Sequence, residues 1–326
     1  MISNDFNCTD LKKTCGLGFG PGYRETKSFI PILGTFMDVV YSSWESMRGK
    51  LGYETVTLGN ISVSNQTVGV MQRGNWNGDA ISSGLLGMAF PNDTNAFKGP
   101  SLDTDRFPYN PLFTTMHQNN LTKPYFSIAV NREDETPGAL ALGGLPGLPI
   151  RYSTKFVRAK FEQLVCDDGK PIKPVGIYNL YMISIDGFEV DGQRVSEKLD
   201  TVIDTGSPFI FATKDIVRNF NLRWKPSAEY DQNIMQWTVD CQATPPKFGV
   251  VINNHTLNID SKGLIIEGCV GTIPSAGDSG KCLSAVQETG PLAFGVHILG
   301  GPLLQSVLAA FDVGTSEMRF AQRTRY

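Results

Sequence analysis

Seven consecutive residues constrain this chain more than any other stretch: Thr201-Val202-Ile203-Asp204-Thr205-Gly206-Ser207. Thr201, Val202 and Ile203 are β-branched and favour a buried strand. The Thr-Gly pair that follows Asp204 allows a sharp turn with close backbone approach. A strand ending this way delivers one carboxylate, Asp204, into a turn. There the backbone N–H and hydroxyl groups of Thr205, Gly206 and Ser207 can hold it. A carboxylate fixed like this is suited to general acid–base work.

The rest of the chain must build a scaffold around that turn. Its 326 residues, 41% of them hydrophobic, can bury a large core, and the length predicts two lobes. The 34 glycines and 19 prolines punctuate short runs of Val, Ile, Thr and aromatic residues, which predicts a mainly β fold with few helices. The net charge of -3 and the absence of a long like-charge block exclude nucleic acid and anionic membranes as expected partners. The apolar stretch from Gly290 to Phe311 imitates a membrane span. Pro291, His297, Gly300, Gly301, Pro302 and Gln305 interrupt it, so it reads as a strand, a turn and a short helix.

Six cysteines are present, at Cys8, Cys15, Cys166, Cys241, Cys269 and Cys282. No two are spaced C-x-x-C, so no metal site is expected, and the even count suits disulfides. Six N-glycosylation sequons begin at Asn7, Asn60, Asn65, Asn92, Asn120 and Asn254. Together they favour the secretory route. The first eight residues have neither the basic nor the apolar region of a signal peptide. Secretory features without a signal lead to the expectation of a beginning that lies further upstream.

In chain order, residues 1–35 read as loop-rich. Phe36 to Tyr41 and Gly49 to Gly59 read as a hairpin with a long tip through Ser42, Ser43 and Trp44. Ser83-Gly84-Leu85-Leu86-Gly87 echoes Ile298-Leu299-Gly300-Gly301 near the C-terminus. A short helix is predicted from Pro111, strands over 125–130 and 139–142, and a crossing between lobes over 145–174. Tyr178 to Gly192 reads as a hairpin turning at Asp186-Gly187 or Asp191-Gly192. A helix is predicted around Thr213–Phe220, and a closing hairpin over 311–321.

Taken in this order, the segments resemble those of the pepsin family of aspartic proteases, and the spacing of the flap to Gly49 is similar to the fungal branch. Tyr41 to Val56 resembles the flap hairpin, with Tyr41, Ser42 and Ser43 at its tip. Ser83 to Pro91, Leu142-Gly143-Gly144, Asp204 to Ser207, Ile298 to Gly300 and Phe311-Asp312 resemble further family segments. The resemblance implies a bilobal β fold with a cleft between lobes, a first lobe over residues 1–150 and a second over 151–326. It implies disulfides Cys8–Cys15 and Cys241–Cys282, and matches Cys166 and Cys269 to no family pair. It implies an acid endopeptidase, secreted or vacuolar, acting as a monomer on peptide or protein substrates, without metal or cofactor.

Such enzymes need two carboxylates that share one proton, because like charges so close cannot both ionise. The chain has one Asp-Thr-Gly on a strand. In the family the other lies a short way upstream of the first disulfide, here upstream of Cys8. Asp278-Ser279-Gly280 follows a Pro-Ser-Ala-Gly loop instead of a strand, and Asp103-Thr104-Asp105 lacks the glycine. A serine-protease reading of Gly277 to Gly280 fails for want of His and Asp partners in order. Two departures stand out: Ser42 follows the flap Tyr41 where the family has Gly, and Ser83 stands where it has Asp. The expectation is an aspartic endopeptidase with an incomplete first lobe and Asp204 as its catalytic residue. The competing reading is a pepsin-like protein that binds peptide without cutting it. A one-loop protease completed by a second copy is disfavoured, since the chain already carries both lobes.

Overall fold

The computed structural model describes residues 1–9, 19–41, 45–76, 78–99, 101–102, 105–132, 137–147, 149–164, 176–267, 280–290 and 296–325. The chain divides into two compact units, Met1–Thr122 and Lys123–Tyr326.

The first unit carries β1 (Ile2–Cys8), β2 (Ile30–Val40), β3 (Ser46–Leu58), β4 (Ile61–Asn75), β5 (Ala96–Phe97) and the helix α1 (Leu112–Gln118). The strands form one sheet in the order β1-β4-β3-β2-β5. The stretch expected to be loop-rich thus contains β1 and the first half of β2. Asn-Cys and Ile-Pro-Ile-Leu do not announce strands, and pairing with β4 and β3 makes them so. Along β3 the period-2 pattern puts Met47, Gly49 and Leu51 inside. A register shift between Glu54 and Val56 then accompanies burial of Glu54. Ile2, Met47 and Met71 form a core cluster with Phe6, Phe19, Met37 and Trp76 against it.

The second unit opens with β6 (Tyr125–Ala129), β7 (Ala139–Leu142), β8 (Arg151–Tyr152), β9 (Val157–Glu162), β10 (Met182–Ile185), β11 (Gly187–Val190), β12 (Gln193–Arg194), β13 (Leu199–Ile203), β14 (Ile210–Ala212) and α2 (Lys214–Asn221). It continues through β15 (Glu229–Asp231), β16 (Gln236–Asp240), β17 (Phe248–Ile252), β18 (His255–Ile259), β19 (Ile265–Ile266), β20 (Lys281–Ser284), β21 (Val286–Glu288), β22 (His297–Leu299), α3 (Gly301–Ser306), β23 (Val307–Asp312) and β24 (Glu317–Arg325). The main sheet runs β21-β14-β22-β13-β10-β9-β24-β23-β6-β7, with β8 on β24. Two four-stranded sheets complete the unit, β12-β11-β17-β18 and β15-β16-β20-β19. The fold is mainly β, as the composition predicts.

All six residues of β23 are buried, and Phe311 stacks on Phe126 with ring centroids 4.6 Å apart. Each such ring contributes about 2–3 kcal/mol by leaving water. The segment expected to cross between lobes holds β8 and β9, strands of the main sheet, because both pair with β24. The Tyr178–Gly192 segment does not fold back on itself at Asp186-Gly187. There β10, paired with β13, passes directly into β11 of another sheet. Gly187 takes φ +136° at that corner, and a Cβ would come 2.5 Å from the Ser196 carbonyl oxygen. The hairpin turn is at Asp191-Gly192, joining β11 to β12.

Candidate active site

Thr201, Val202 and Ile203 are buried in β13, as the β-branched run requires. β13 lies between β10, antiparallel to it, and β22, parallel to it. After Asp204 the chain turns and returns as β14 on the far side of β22. The apolar strand Ile298-Leu299 therefore threads between the two arms of the Asp204 turn. The Asp204 N–H donates to the Leu299 carbonyl at 3.2 Å, and the N–H groups of Gly300 and Gly301 donate to the carbonyls of Phe209 (3.1 Å) and Ser207 (2.8 Å).

Inside the turn, the Gly206 N–H donates to Asp204 Oδ1 at 2.8 Å. The Ser207 hydroxyl donates to the Phe209 carbonyl and accepts from the Phe209 N–H, both at 3.2 Å. Ser207 is buried, Asp204 half-exposed, and Thr205 and Gly206 exposed. The geometry fixes one carboxylate oxygen and leaves Oδ2 without a hydrogen-bond donor among the described residues. A Cβ on Gly300 would sit 2.2 Å from the Ser207 carbonyl oxygen, so glycine is required where the strand passes under the turn.

One titratable residue of this crossing escaped sequence reasoning except as an interruption in an apolar run. His297 on β22 is paired with Thr201. Its Nδ1 lies 3.3 Å from the Thr289 hydroxyl, which itself donates to the Ala212 carbonyl at 3.2 Å. Burial holds the His297 imidazole below its ordinary range, and Asp200 offsets part of that effect.

The Tyr41 hairpin is formed by β2 and β3, in register from Phe36↔Lys50 to Val40↔Ser46. The Tyr41 N–H closes the tip on the Glu45 carbonyl at 2.8 Å. The Tyr41 ring meets Trp76 edge-on at 5.2 Å, a contact between β-hairpin tip and strand end that the sequence did not disclose. Burial, with Glu45 nearby, pushes the Tyr41 hydroxyl up from its ordinary pKa. Ser42, Ser43 and Trp44 lie outside the described residues, as do Asp103, Cys15, Cys166, Cys269 and Asp278.

The echo of Ile298-Leu299-Gly300 in the first unit has different surroundings. Leu85 and Leu86 are 60% and 45% exposed, and no described strand pairs with them. No described residue lies within 4 Å of a Cβ built on Gly87. Of the expected disulfides, Cys241–Cys282 is formed, with 5.0 Å between Cα atoms, and Cys8 is disulfide-bonded.

The Asp204 turn thus wraps a threaded Ile-Leu-Gly strand, and comparison with known proteins identifies the family. The family model for eukaryotic aspartyl proteases matches residues 21–323. The chain belongs to this family. A probable aspartic-type endopeptidase of Aspergillus fumigatus is 33% identical over 311 residues, covering 93% of this chain and 67% of that protein. An acid protease of Saccharomycopsis fibuligera is 23% identical over 286 residues, 87% of this chain and 66% of that protein. Penicillopepsin-1 of Talaromyces stipitatus is 23% identical over 310 residues, 94% of this chain and 70% of that protein. The aspartyl protease chain described here thus spans about two thirds of the length of these relatives.

Proposed function

We propose that this chain supplies Asp204, one of the two catalytic carboxylates of an aspartic-type endopeptidase that cuts peptide bonds in acid. The observation that carries the reading is the threaded turn: Asp204 is held at Oδ1 by the Gly206 N–H, at the end of a buried strand. The ionised carboxylate of the pair takes a proton from water. The protonated one donates to the substrate carbonyl, and the water oxygen attacks. The pair titrates as a unit, which sets activity in the acid range. The chemistry calls for no metal, cofactor or covalent intermediate.

The second carboxylate, in this proposal, belongs to a strand–turn segment that seats against Leu85-Leu86-Gly87. The support is internal. In the second unit the matching Leu299 is fully buried beneath the Asp204 turn, and Gly300 has no room for a Cβ. In the first unit Leu86 is exposed, and no described residue lies within 4 Å of a Cβ on Gly87. The occupant is a β-branched run ending in Asp-Thr-Gly or Asp-Ser-Gly, encoded upstream of Met1. The pairs Cys8–Cys15 and Cys241–Cys282, a monomeric state, and export to the vacuole or the medium complete the proposal.

The test is peptide cleavage from acid to neutral pH by three proteins: the 326-residue chain, the chain extended by the upstream segment, and the extended chain with Asp204→Asn. Acid-range, pepstatin-sensitive cleavage by the extended chain alone is expected. Pepstatin-sensitive cleavage by the 326-residue chain would show that no further segment is needed. Cleavage that survives Asp204→Asn would remove Asp204 from the mechanism. Peptide binding without cleavage by the extended chain would select the non-cutting reading, to which the departures at Ser42 and Ser83 belong.

A further inference from the structure

Four of the six sequons lie at open edges of the sheets. Among the described residues, most strands at a sheet edge are short: β5, β8, β12 and β19 have two residues, β15 and β21 three, and β7 four. Two edge strands are longer, β1 with seven residues and β18 with five; the outer side of β1 is covered by Tyr23 and Ser83 over residues 2–4. A long edge presents a row of unpaired N–H and C=O groups on which another strand can dock. Asn7 lies in β1, and Asn254 immediately precedes β18.

A third open stretch lies within β4. This strand pairs with β3 from Ile61 to Asn75, but β1 reaches it only between Met71 and Gly74. Its other side from Ile61 to Val68 faces no described strand. Asn60 adjoins that stretch, and Asn65 stands inside it at φ +54°. All four asparagines are exposed.

The β18 edge shows the pattern at single-residue scale. The Gln322 side chain covers the outer N–H and C=O of Asn258, at 2.8 and 3.0 Å. Strand alternation turns the backbone of Thr256 to the same side. No described group bonds its N–H or C=O, and it is the third residue of the Asn254 sequon.

We propose that N-linked glycans on Asn7, Asn60, Asn65 and Asn254 guard these open edges against strand-to-strand association. In the modification, the asparagine Nδ2 loses a proton and bonds to the anomeric carbon of a lipid-diphosphate-linked oligosaccharide, and the lipid diphosphate leaves. The attached glycan is bulky and hydrated and occupies the space a second strand would take. The glycan on Asn60 also stays clear of the flap. β3 runs 13 residues from the tip to Leu58, which puts Asn60 about 40 Å from Tyr41 at about 3.3 Å per residue.

The other two sequons provide an internal comparison. Asn120 is exposed beyond the end of α1, away from any sheet edge. Asn92 is half-buried. The Thr94 of its sequon is 8% exposed, with a hydroxyl that donates to the Pro91 carbonyl at 2.8 Å and accepts from the Tyr109 N–H at 3.3 Å.

The proposal rests on the secretory route proposed above, and the experiment separates the two. The full protein is produced behind a secretory leader in yeast. Occupied sites are mapped by mass spectrometry after enzymatic release of the glycans in heavy-oxygen water. Occupancy at Asn7, Asn60, Asn65 and Asn254 is expected. Bare sites on protein recovered from the medium overturn the proposal and leave the route standing.

Light scattering then compares three samples with the glycosylated protein. The first is unmutated protein trimmed by a glycosidase. The second carries Thr9→Ala, Ser62→Ala, Thr67→Ala and Thr256→Ala, which abolish the four edge sequons and keep every asparagine. The third carries Thr122→Ala alone. Several-fold faster self-association of the first two, with unchanged circular dichroism, is expected, while Thr122→Ala behaves as the parent. A trimmed protein that stays as dispersed as the glycosylated one overturns the edge role, as does equal association of the Thr122→Ala protein.

Discussion

Two residues carry chemistry that their neighbours in sequence do not reveal. Glu54 is 4% exposed and accepts from the Tyr23 hydroxyl at 2.5 Å, the Thr26 hydroxyl at 2.7 Å, the Ser28 hydroxyl and the Thr55 N–H at 2.8 Å. Burial alone would raise its pKa; the donors outweigh burial and hold it at about 2, against an ordinary value of 4.5. A carboxylate depressed in the fold stabilises fully above its unfolded pKa, and that contribution is lost as pH falls towards about 2. The cluster therefore stays ionised through most of the acid range. Glu54→Gln is expected to cost about 2 kcal/mol at neutral pH. The gap between variant and parent melting temperatures should close between pH 4.5 and 2; a gap constant with pH would refute the assignment. Gly300 is the second case. Gly300→Ala forces a methyl to 2.2 Å from the Ser207 carbonyl and is expected to destabilise by about 1–3 kcal/mol or more. Gly87→Ala is expected to be silent in the 326-residue chain and to cost as much as Gly300→Ala once the proposed upstream segment is attached. Equal melting of the extended parent and its Gly87→Ala variant would refute the seat at Leu85-Leu86-Gly87.

At the scale of elements, the chain holds its second unit together by pairing short strands over long sequence distances. β16 and β20 are antiparallel, with Val239 opposite Cys282, and the Cys241–Cys282 bond closes a loop across a separation of 41 residues. Cys282 is buried beside Leu283. Loop-closure entropy for a ring of this size gives about 4 kcal/mol. Cys282→Ser is expected to lower unfolding free energy by an amount of that order, read from urea curves whose slope rises as the unfolded chain loses its cross-link. Helices were the more legible elements. The helix predicted around Thr213–Phe220 spans Lys214–Asn221 with Thr213 at its N-cap, because Ile216, Val217 and Phe220 repeat at helical spacing and all face the core. The strand exchange at Gly187 was not legible, since Asp-Gly suits a hairpin turn as well as a corner between sheets.

For the whole molecule, the question is how many carboxylates serve the reaction. A pepstatin-type inhibitor places its hydroxyl between two of them, so it should distinguish one from two. At a concentration a hundred times its Kd, a ligand that binds only the native state stabilises it by about 2.7 kcal/mol. A matching rise in melting temperature is expected for the extended chain with pepstatin in acid, and none for the 326-residue chain. A rise in both would mean that the described residues already form the full inhibitor site.

The sequence by itself determined the β class, the Asp204 turn and the family. These rest on local properties: β-branched runs, Gly and Pro spacing, and short motifs in a fixed order. Tertiary structure alone decided which strand threads the turn, that β8 and β9 belong to the main sheet, and that Glu54 is a buried carboxylate. It decided too that Ile298-Leu299-Gly300 is enclosed while Leu85-Leu86-Gly87 is not. The two segments look alike as letters. Burial and hydrogen bonding depend on partners more than ninety residues away for Leu299 and Asp204, and no local pattern encodes such a distance.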